Sequence, residues 1–480
     1  MARVSAPRAA IVAAILLPAL MVAACGGGGS SGGGGATTVV VANRAPVVAR
    51  ANANQSATVG TAFTSDASQG GATFTDADGD SLTYVTTLTP AGGGLTTSGA
   101  TISGTPNTAG TVVVSVVASD GKGGSATSTF NLVVAPVSAA ALGRPTLPAV
   151  SFAYADADIA LPTHYTRAGG GTISGADNTP ATNPTTNAGA TLGRVLFYDK
   201  RLSFNDTVAC ASCHQQSKGF SDSARLSVGF KGGTTSRHAM GLTNARYYNR
   251  GRFFWDERAA TLEDQVVTPI QDATEMGMNL TDLEAKLAAT DFYPALFRDA
   301  FGTTQVTQQR IARALAQFVR SMSSYRSKYD SAFVNGTPNF PATFTAQEER
   351  GRQIFTGVGR CDVCHLTDAH ISPNVFNNGL DATVTDVGAG GGRFKSPSLR
   401  NVAVRAPYMH DGRFATLRDV VEHYDHGVQA SANLAPALID GTGAPRRLNL
   451  SEADKLALLA FMGTLTDTAL MQDAKFSSPF

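Results

Sequence analysis

Two five-residue words carry most of the chemistry in this chain: Cys210-Ala-Ser-Cys213-His214 and Cys361-Asp-Val-Cys364-His365. In a helical turn, Cys i, Cys i+3 and His i+4 project onto neighbouring faces. Two thiols so placed can add to the two vinyl groups of one haem, while the imidazole reaches its iron from the same side. Zinc is the competing ligand, but a zinc ribbon sets its two CxxC pairs about 15–20 residues apart. Here His214 and His365 are 151 residues apart, and only 8 of the 480 residues are His. Two covalent haem c groups are therefore expected, one on Cys210, Cys213 and His214, the other on Cys361, Cys364 and His365. Electron traffic between two irons follows from the pair.

The fifth cysteine is Cys25. It follows Arg3, Arg8 and an apolar run too short to span a bilayer, and it closes the string Val22-Ala23-Ala24-Cys25. This is similar to an export signal ending in a lipobox, which implies that Cys25 is acylated and becomes the mature first residue; an ordinary cleaved signal is the alternative. Export suits haem c, which is attached outside the cytoplasm. The expected location is the periplasm or cell envelope on a lipid anchor. The outer membrane is preferred, because Gly26 is not the Asp that favours inner-membrane retention. No cysteine remains for a disulfide.

The elements that must position the two words come next. At 480 residues the chain exceeds one ordinary core, so several domains are expected. Residues 1–24 read as the signal and 25–45 as a Gly/Ser-rich tether. Residues 46–136 alternate Thr, Val and Ser in short runs such as GTVVVSVVAS, bounded by Gly, Pro, Asn and Asp. That pattern predicts a β-sandwich, and TDADGDSLTY with ATISGTPNTAGT resembles Ig/cadherin-like modules of bacterial surface proteins. It reads as a spacer or docking module, and Asp76, Asp78 and Asp80 could bind Ca²⁺ or simply form a turn. Residues 137–187 read as an irregular linker. Helical patterning dominates thereafter, with Ile311, Leu315, Phe318, Val319, Met322 and Tyr325 on one face. Each CxxCH word follows a helix bearing Gly-Arg, in LGRVLFYDKRLS and in RGRQIFTGVGR. Two mainly α-helical cytochrome c-like domains, 188–330 and 331–470, are the economical inference. The formal net charge is +1 and the mean hydropathy is near zero, which offers no electrostatic footprint for nucleic acid.

Over roughly residues 185–470 the chain resembles the bacterial di-haem cytochrome c peroxidase family. The motifs are LGRVLFYDKRLS, CASCH, GRFFWDERAATLEDQVVTPIQDATEMG, CDVCH and RAPYMHDGRFATLRDVVEHY. The MauG branch, which oxidises tryptophans on a partner protein, is the more similar. The resemblance implies a first, peroxidatic haem at residues 210–214, with Glu275 as the distal carboxylate and Gln265 and Pro269 as further pocket residues. A carboxylate suits peroxide cleavage, since a proton must leave one oxygen and reach the other; Met276 and Met278 would raise its pKa by desolvation. Gln265 could orient peroxide. Trp255, the only tryptophan, matches the residue between the haems that relays electrons. Its alternative is plain core packing.

Two departures separate the chain from ordinary peroxidases. Their blocking His ligand of the first haem is matched here by Phe230 of SVGF, which cannot ligate iron; His238 aligns with another position. The resemblance thus implies an open ferric site that needs no reductive activation. Fourteen residues beyond His410 stands Tyr424, as in MauG, where ordinary peroxidases have Met. A phenolate favours the oxidised iron states, with His423, His426 and Met409 as competing ligands; His164 and His370 carry no assigned role. The family's Ca²⁺ between the haems is in doubt, because His238 and Arg405 occupy its ligand positions.

The expected function is a di-haem oxidoreductase using H₂O₂, with oxidising power shared between the haems. Its donor would be a small redox protein or an oxidisable Trp or Tyr on a protein substrate. An ordinary peroxide-detoxifying cytochrome c peroxidase is one alternative, and a non-catalytic envelope electron-transfer cytochrome is the other.

Overall fold

Alternation along Gly110–Ser119 turns Val114, Val116 and Ala118 inward, and along Ser125–Ala135 it buries Phe130, Leu132 and Val134. The computed structural model describes residues 42–138, 142–169 and 171–480. Cys25 and the Gly/Ser tract up to residue 41 lie outside the described residues. The strands β1 (Gln55–Thr58), β2 (Phe63–Asp66), β3 (Thr83–Thr89), β4 (Leu95–Ser98), β5 (Thr101–Gly104), β6 (Gly110–Ser119) and β7 (Ser125–Ala135) form two facing sheets. One has the order β1-β7-β6-β3, with β1 parallel to β7 in the register Ser56 to Val133; the other is antiparallel, in the order β2-β5-β4. Ile102, Val114, Val116 and Leu132 close the core between them. At one edge the carboxylate oxygens of Asp76, Asp80 and Asp120 lie within 4.8 Å of one another, with Lys122 Nζ 2.5 Å from Asp80. The sequence grouped Asp78 with this set, but Asp120, brought in by the fold, replaces it. Asp76 Oδ1 accepts from the amides of Asp78 and Asp80 in a turn.

The rest is helical and built on a repeated crossing. Helix α1 (Asn187–Tyr198) packs on α3 (Gln308–Ser321), and α4 (Ala346–Thr356) packs on α6 (Glu452–Gly463); α2 (Leu262–Gln271) and α5 (Leu417–Glu422) flank the two pairs. Both Gly-Arg helices place their glycine at the crossing. A methyl group on Gly193 would stand 2.0 Å from the Ala314 carbonyl, and one on Gly351 would stand 1.9 Å from that of Ala457. Four residues on, Phe318 and Phe461 cover those glycines in turn. Only glycine permits so close an approach of backbones. Each crossing nucleates its own apolar cluster, so each CxxCH word hangs from a separate core.

Two details differ from the periodicity. Helix α3 ends at Ser321, before Tyr325, because the following amides find other acceptors: Ser324 N donates to Asn244 Oδ1 at 2.9 Å, and Tyr325 N and Arg326 N donate to Asp467 Oδ2 at 3.0 Å. Residues between 142 and 187 are strapped onto the helical core. Arg246 pairs with Asp156 and Asp177, and Tyr165 Oη donates to the Ser324 carbonyl. Buried His164 meets Asp330 at 2.9 Å, and Arg400 grips that same carboxylate at 2.6 and 2.8 Å.

Candidate functional site

Each CxxCH word forms one tight turn. The amide of His214 donates to the Cys210 carbonyl and that of His365 to the Cys361 carbonyl, both at 2.9 Å. Cys210, Cys213 and His214 line one cavity, Cys213 and His214 also line an adjoining one, and Cys361, Cys364 and His365 line a third. All four cysteines are free thiols, and burial pushes Cys210 and Cys361 up to about 12 and Cys213 and Cys364 up to about 11. Burial also lowers both imidazoles, His365 to about 4, which keeps them in the neutral form that binds metal. His214 Nδ1 donates to the Phe220 carbonyl at 2.9 Å, so its Nε2 lone pair is available. Ser396 Oγ donates to the Cys364 carbonyl at 2.8 Å and receives His365 Nδ1 at 3.3 Å, with the same result. Free thiols, a neutral ligating imidazole and an apolar cradle fit haem c at both places.

Above the first word, Thr261 caps α2 by accepting from Asp264 N, and the helix presents Gln265 and Pro269, four apart, to the cavity. Past the helix end, Asp272 Oδ1 accepts from the amides of Thr274 and Glu275 at 2.8 and 3.1 Å. Its carbonyl receives Met276 N and Gly277 N. This turn delivers Glu275 to the same cavity as His214. Burial, then the nearby Asp272, raise the Glu275 carboxyl above its ordinary range, against a smaller lowering by Arg258. Met276 and Met278 are both buried. Phe230 is buried as well, but its ring packs over Gly277 and edge-on to Phe204 at 6.0 Å, leaving Val228 and Gly229 to line the cavity.

Trp255 stands on the wall common to both sets of cavities, with His238, Ala239, Met240, Gly241, Lys395 and Pro397. Its indole Nε1 donates to the His238 carbonyl at 2.8 Å, and its own carbonyl receives Lys395 N at 2.8 Å. The His238 ring is held by Ser221 Oγ and by the carbonyls of Ala224 and Arg225, each at 3.2 Å.

Around the second word, α5 passes into a π-helical turn, His423–Gly427. The widened turn aims Tyr424 into the cavity that holds His365. Burial raises its phenol, against a hydrogen bond from Asn378. Of its competitors, Met409 lines that cavity, and its sulfur accepts from Asn378 Nδ2 at 3.5 Å. His423 is tied to the Asn378 carbonyl at 2.9 Å, and exposed His426 lies beside Asp425 and Glu422.

No motif pointed to Lys395. Its Nζ lies 3.7 Å from the Tyr248 ring centroid and 4.4 Å from that of Phe253, and burial lowers it to about 7. Arg405 is buried with Nη2 on the Ser398 carbonyl at 2.7 Å and, among the described residues, Nε without a hydrogen-bond partner; burial lowers it to about 10. Among the described residues no helix is long and apolar enough to cross a membrane.

A family model described as di-haem cytochrome c peroxidase matches residues 187–339, and an Ig-domain model matches 45–135. The methylamine utilization protein MauG of Methylophilus methylotrophus is 32% identical over 303 residues, 61% of this chain and 86% of that protein. The cytochrome c551 peroxidase of Nitrosomonas europaea is 33% identical over 245 residues, 48% of this chain and 71% of that one. The crystal structure of a MauG-like protein associated with microbial copper homeostasis superposes with a TM-score of 0.55 at 31% identity, over 63% of this chain and 95% of that one. The diheme peroxidase BthA of Burkholderia thailandensis, at 24% identity and a TM-score of 0.50 over 62% and 91%, shares the fold. With two CxxCH words lining cavities, a half-buried Glu275 carboxylate beside the first and relatives covered over most of their length, this chain belongs to the di-haem cytochrome c peroxidase and MauG family, whose members carry two haem c groups, and it is a di-haem peroxidase-type enzyme preceded by an Ig-like domain.

Proposed function

We propose that the enzyme uses hydrogen peroxide in the manner of MauG, at an open first haem coupled to a tyrosine-ligated second haem. The observation that carries this reading is the pairing of Glu275 in the His214 cavity with Tyr424 in the His365 cavity, Trp255 lining both. Cys210, Cys213 and His214 would hold one haem, and Cys361, Cys364, His365 and Tyr424 the other. The haems supply the iron that accepts and stores the oxidising equivalents of peroxide. Glu275, raised by burial, takes a proton from one peroxide oxygen and returns it to the other. Gln265 orients the peroxide by hydrogen bonding. The indole of Trp255 carries an electron between the two sites.

Buried Arg405 keeps its charge at neutral pH on the wall of the His365 cavity, and a cation fixed there opposes a second one such as Ca²⁺. The partner is an oxidisable Trp or Tyr on a protein, or a small redox protein, met outside the cytoplasm by a chain anchored through Cys25. The relative named MauG supports the first kind of partner and the cytochrome c551 peroxidase the second.

Stopped-flow spectra after H₂O₂ addition test the reading. A rapid spectral change in the ferric enzyme, without prior reduction, supports it. A ferric enzyme that responds only after one-electron reduction contradicts it.

A further inference from the structure

The side chain of Asn205 joins two domains. Its Nδ2 donates to the Phe230 carbonyl at 2.8 Å and also to the carbonyl of Asn107, in the turn between β5 and β6 of the sandwich. Thr207 Oγ1 donates to Asn205 Oδ1 at 2.6 Å, which holds the amide in the one orientation that serves both carbonyls. The turn is itself fixed from within the sandwich. Asn107 N donates to Gly93 O at 2.8 Å, and Gly60 N to Pro106 O at 2.7 Å. Asn107 also reaches Gly232, its Nδ2 lying 3.5 Å from where a Cβ on that glycine would stand.

The loop met by this turn is the one that borders the distal carboxylate. Phe230 N donates to the Glu275 carbonyl at 3.0 Å, and Phe204 N to the Met276 carbonyl at 2.9 Å. A methyl group on Gly229 would fall 1.7 Å from Thr274 O, so the two segments lie backbone to backbone. Asn107, Asn205, Phe230 and Glu275 thus form a continuous hydrogen-bonded chain from the sandwich to the peroxide cavity. Residues 228–233 include Gly229, Gly232 and Gly233 and close on themselves through Gly229 N to Gly233 O at 2.8 Å and Gly232 N to Gly229 O at 2.9 Å, so the seating of this turn against Glu275 is set by what it meets outside itself.

We infer that Asn205 is a positioning residue through which the Ig-like module props the 228–233 loop and so fixes Glu275 over the first haem. The module is then part of the peroxide site, beyond the spacer its sequence suggests. Asn205 touches neither peroxide nor haem in this role; it acts through Phe230. The inference rests on Glu275 being the proton carrier.

Hydrogen exchange and stopped-flow kinetics on the full-length, haem-loaded protein test it. The two variants are Asn205→Ala and a chain whose Thr105–Thr108 turn is replaced by Gly-Gly, which alters nothing in the haem domains. Both are expected to raise amide exchange in peptides spanning 228–233 and 273–277 by about 10-fold, and to lower the rate of the H₂O₂ reaction by about 10-fold, as misplacement of a catalytic group does. Exchange around 361–365 is expected to be unchanged. Unaltered exchange at 228–233 overturns the inference, whatever the rate. Faster exchange with a wild-type rate overturns it too, because the contact then serves stability alone. If Asn205→Ala does not fold, the turn variant decides. Glu275→Gln separates the two readings: wild-type reactivity there removes the role of Glu275, while the exchange result still reports the strut.

Discussion

The amide of Phe230 donates to the carbonyl of Glu275 at 3.0 Å. Phe230 is therefore stitched to the residue whose carboxylate lines the His214 cavity. The Phe230 ring fills the space over Gly277 that any larger residue at 277 would need. Loop and carboxylate are one unit, and a ligand-releasing movement of this loop would drag Glu275 with it.

That carboxylate sets a pH dependence. Glu275 accepts a proton only when ionised, and burial raises its pKa above the ordinary carboxylate value of about 4.3. The rate constant for H₂O₂ in the wild type is expected to rise with pH through a titration above that value. Glu275→Gln is expected to be slower by roughly 10²–10⁴ and flat across the same range. Stopped-flow measurements from pH 4.5 to 8 check both statements.

Tyr424→Met replaces an oxygen donor by a thioether, which stabilises reduced iron. Redox titration is expected to show a higher reduction potential for the second haem and little change at the first. The oxidised product formed with H₂O₂ is expected to decay faster.

Arg400 and Asp330 form a buried bidentate pair beneath His164. Burial alone would raise the Asp330 carboxyl, but the charge of Arg400 and the hydrogen bonds from His164, Arg400 and Ser327 hold it well below its usual value. A carboxylate so depressed contributes stability above its unfolded pKa near 3.9, lost as pH falls below that value. Asp330→Asn leaves the guanidinium buried without a partner charge and is expected to cost about 3–5 kcal/mol at pH 7. Chemical denaturation at pH 7 and at pH 3 measures both effects, and the wild-type advantage over the variant is expected to shrink at the lower pH.

Gly351→Ala drives a methyl group to within 1.9 Å of the Ala457 carbonyl and forces α4 off α6. A loss of about 1–3 kcal/mol is expected from overpacking, seen as a lower melting temperature and a perturbed spectrum of the second haem. Gly193→Ala is expected to do the same at the first.

Much of this arrangement is legible in the chain. CxxCH spacing reports its chemistry because both thiols and the imidazole come from a single turn, and strand alternation reports the sandwich for the same local reason. Glu275, Gln265 and Trp255 were legible only through family resemblance, since nothing in TEMG or FFWDER states which cavity those side chains face. Lys395 and Asn205 left no local signal. Lys395 matters through rings at 248 and 253, and Asn205 through a carbonyl 98 residues earlier in another domain. The end of α3 at Ser321 was hidden likewise, because Asn244 and Asp467, which capture the next amides, are distant in sequence.

Electron paramagnetic resonance of the as-isolated ferric protein tests the central claim most directly. An open first haem beside a Tyr424-ligated second haem predicts a high-spin signal together with a low-spin one, the low-spin signal changing in Tyr424→Met. Two low-spin signals, neither altered by H₂O₂ nor by that substitution, would contradict it.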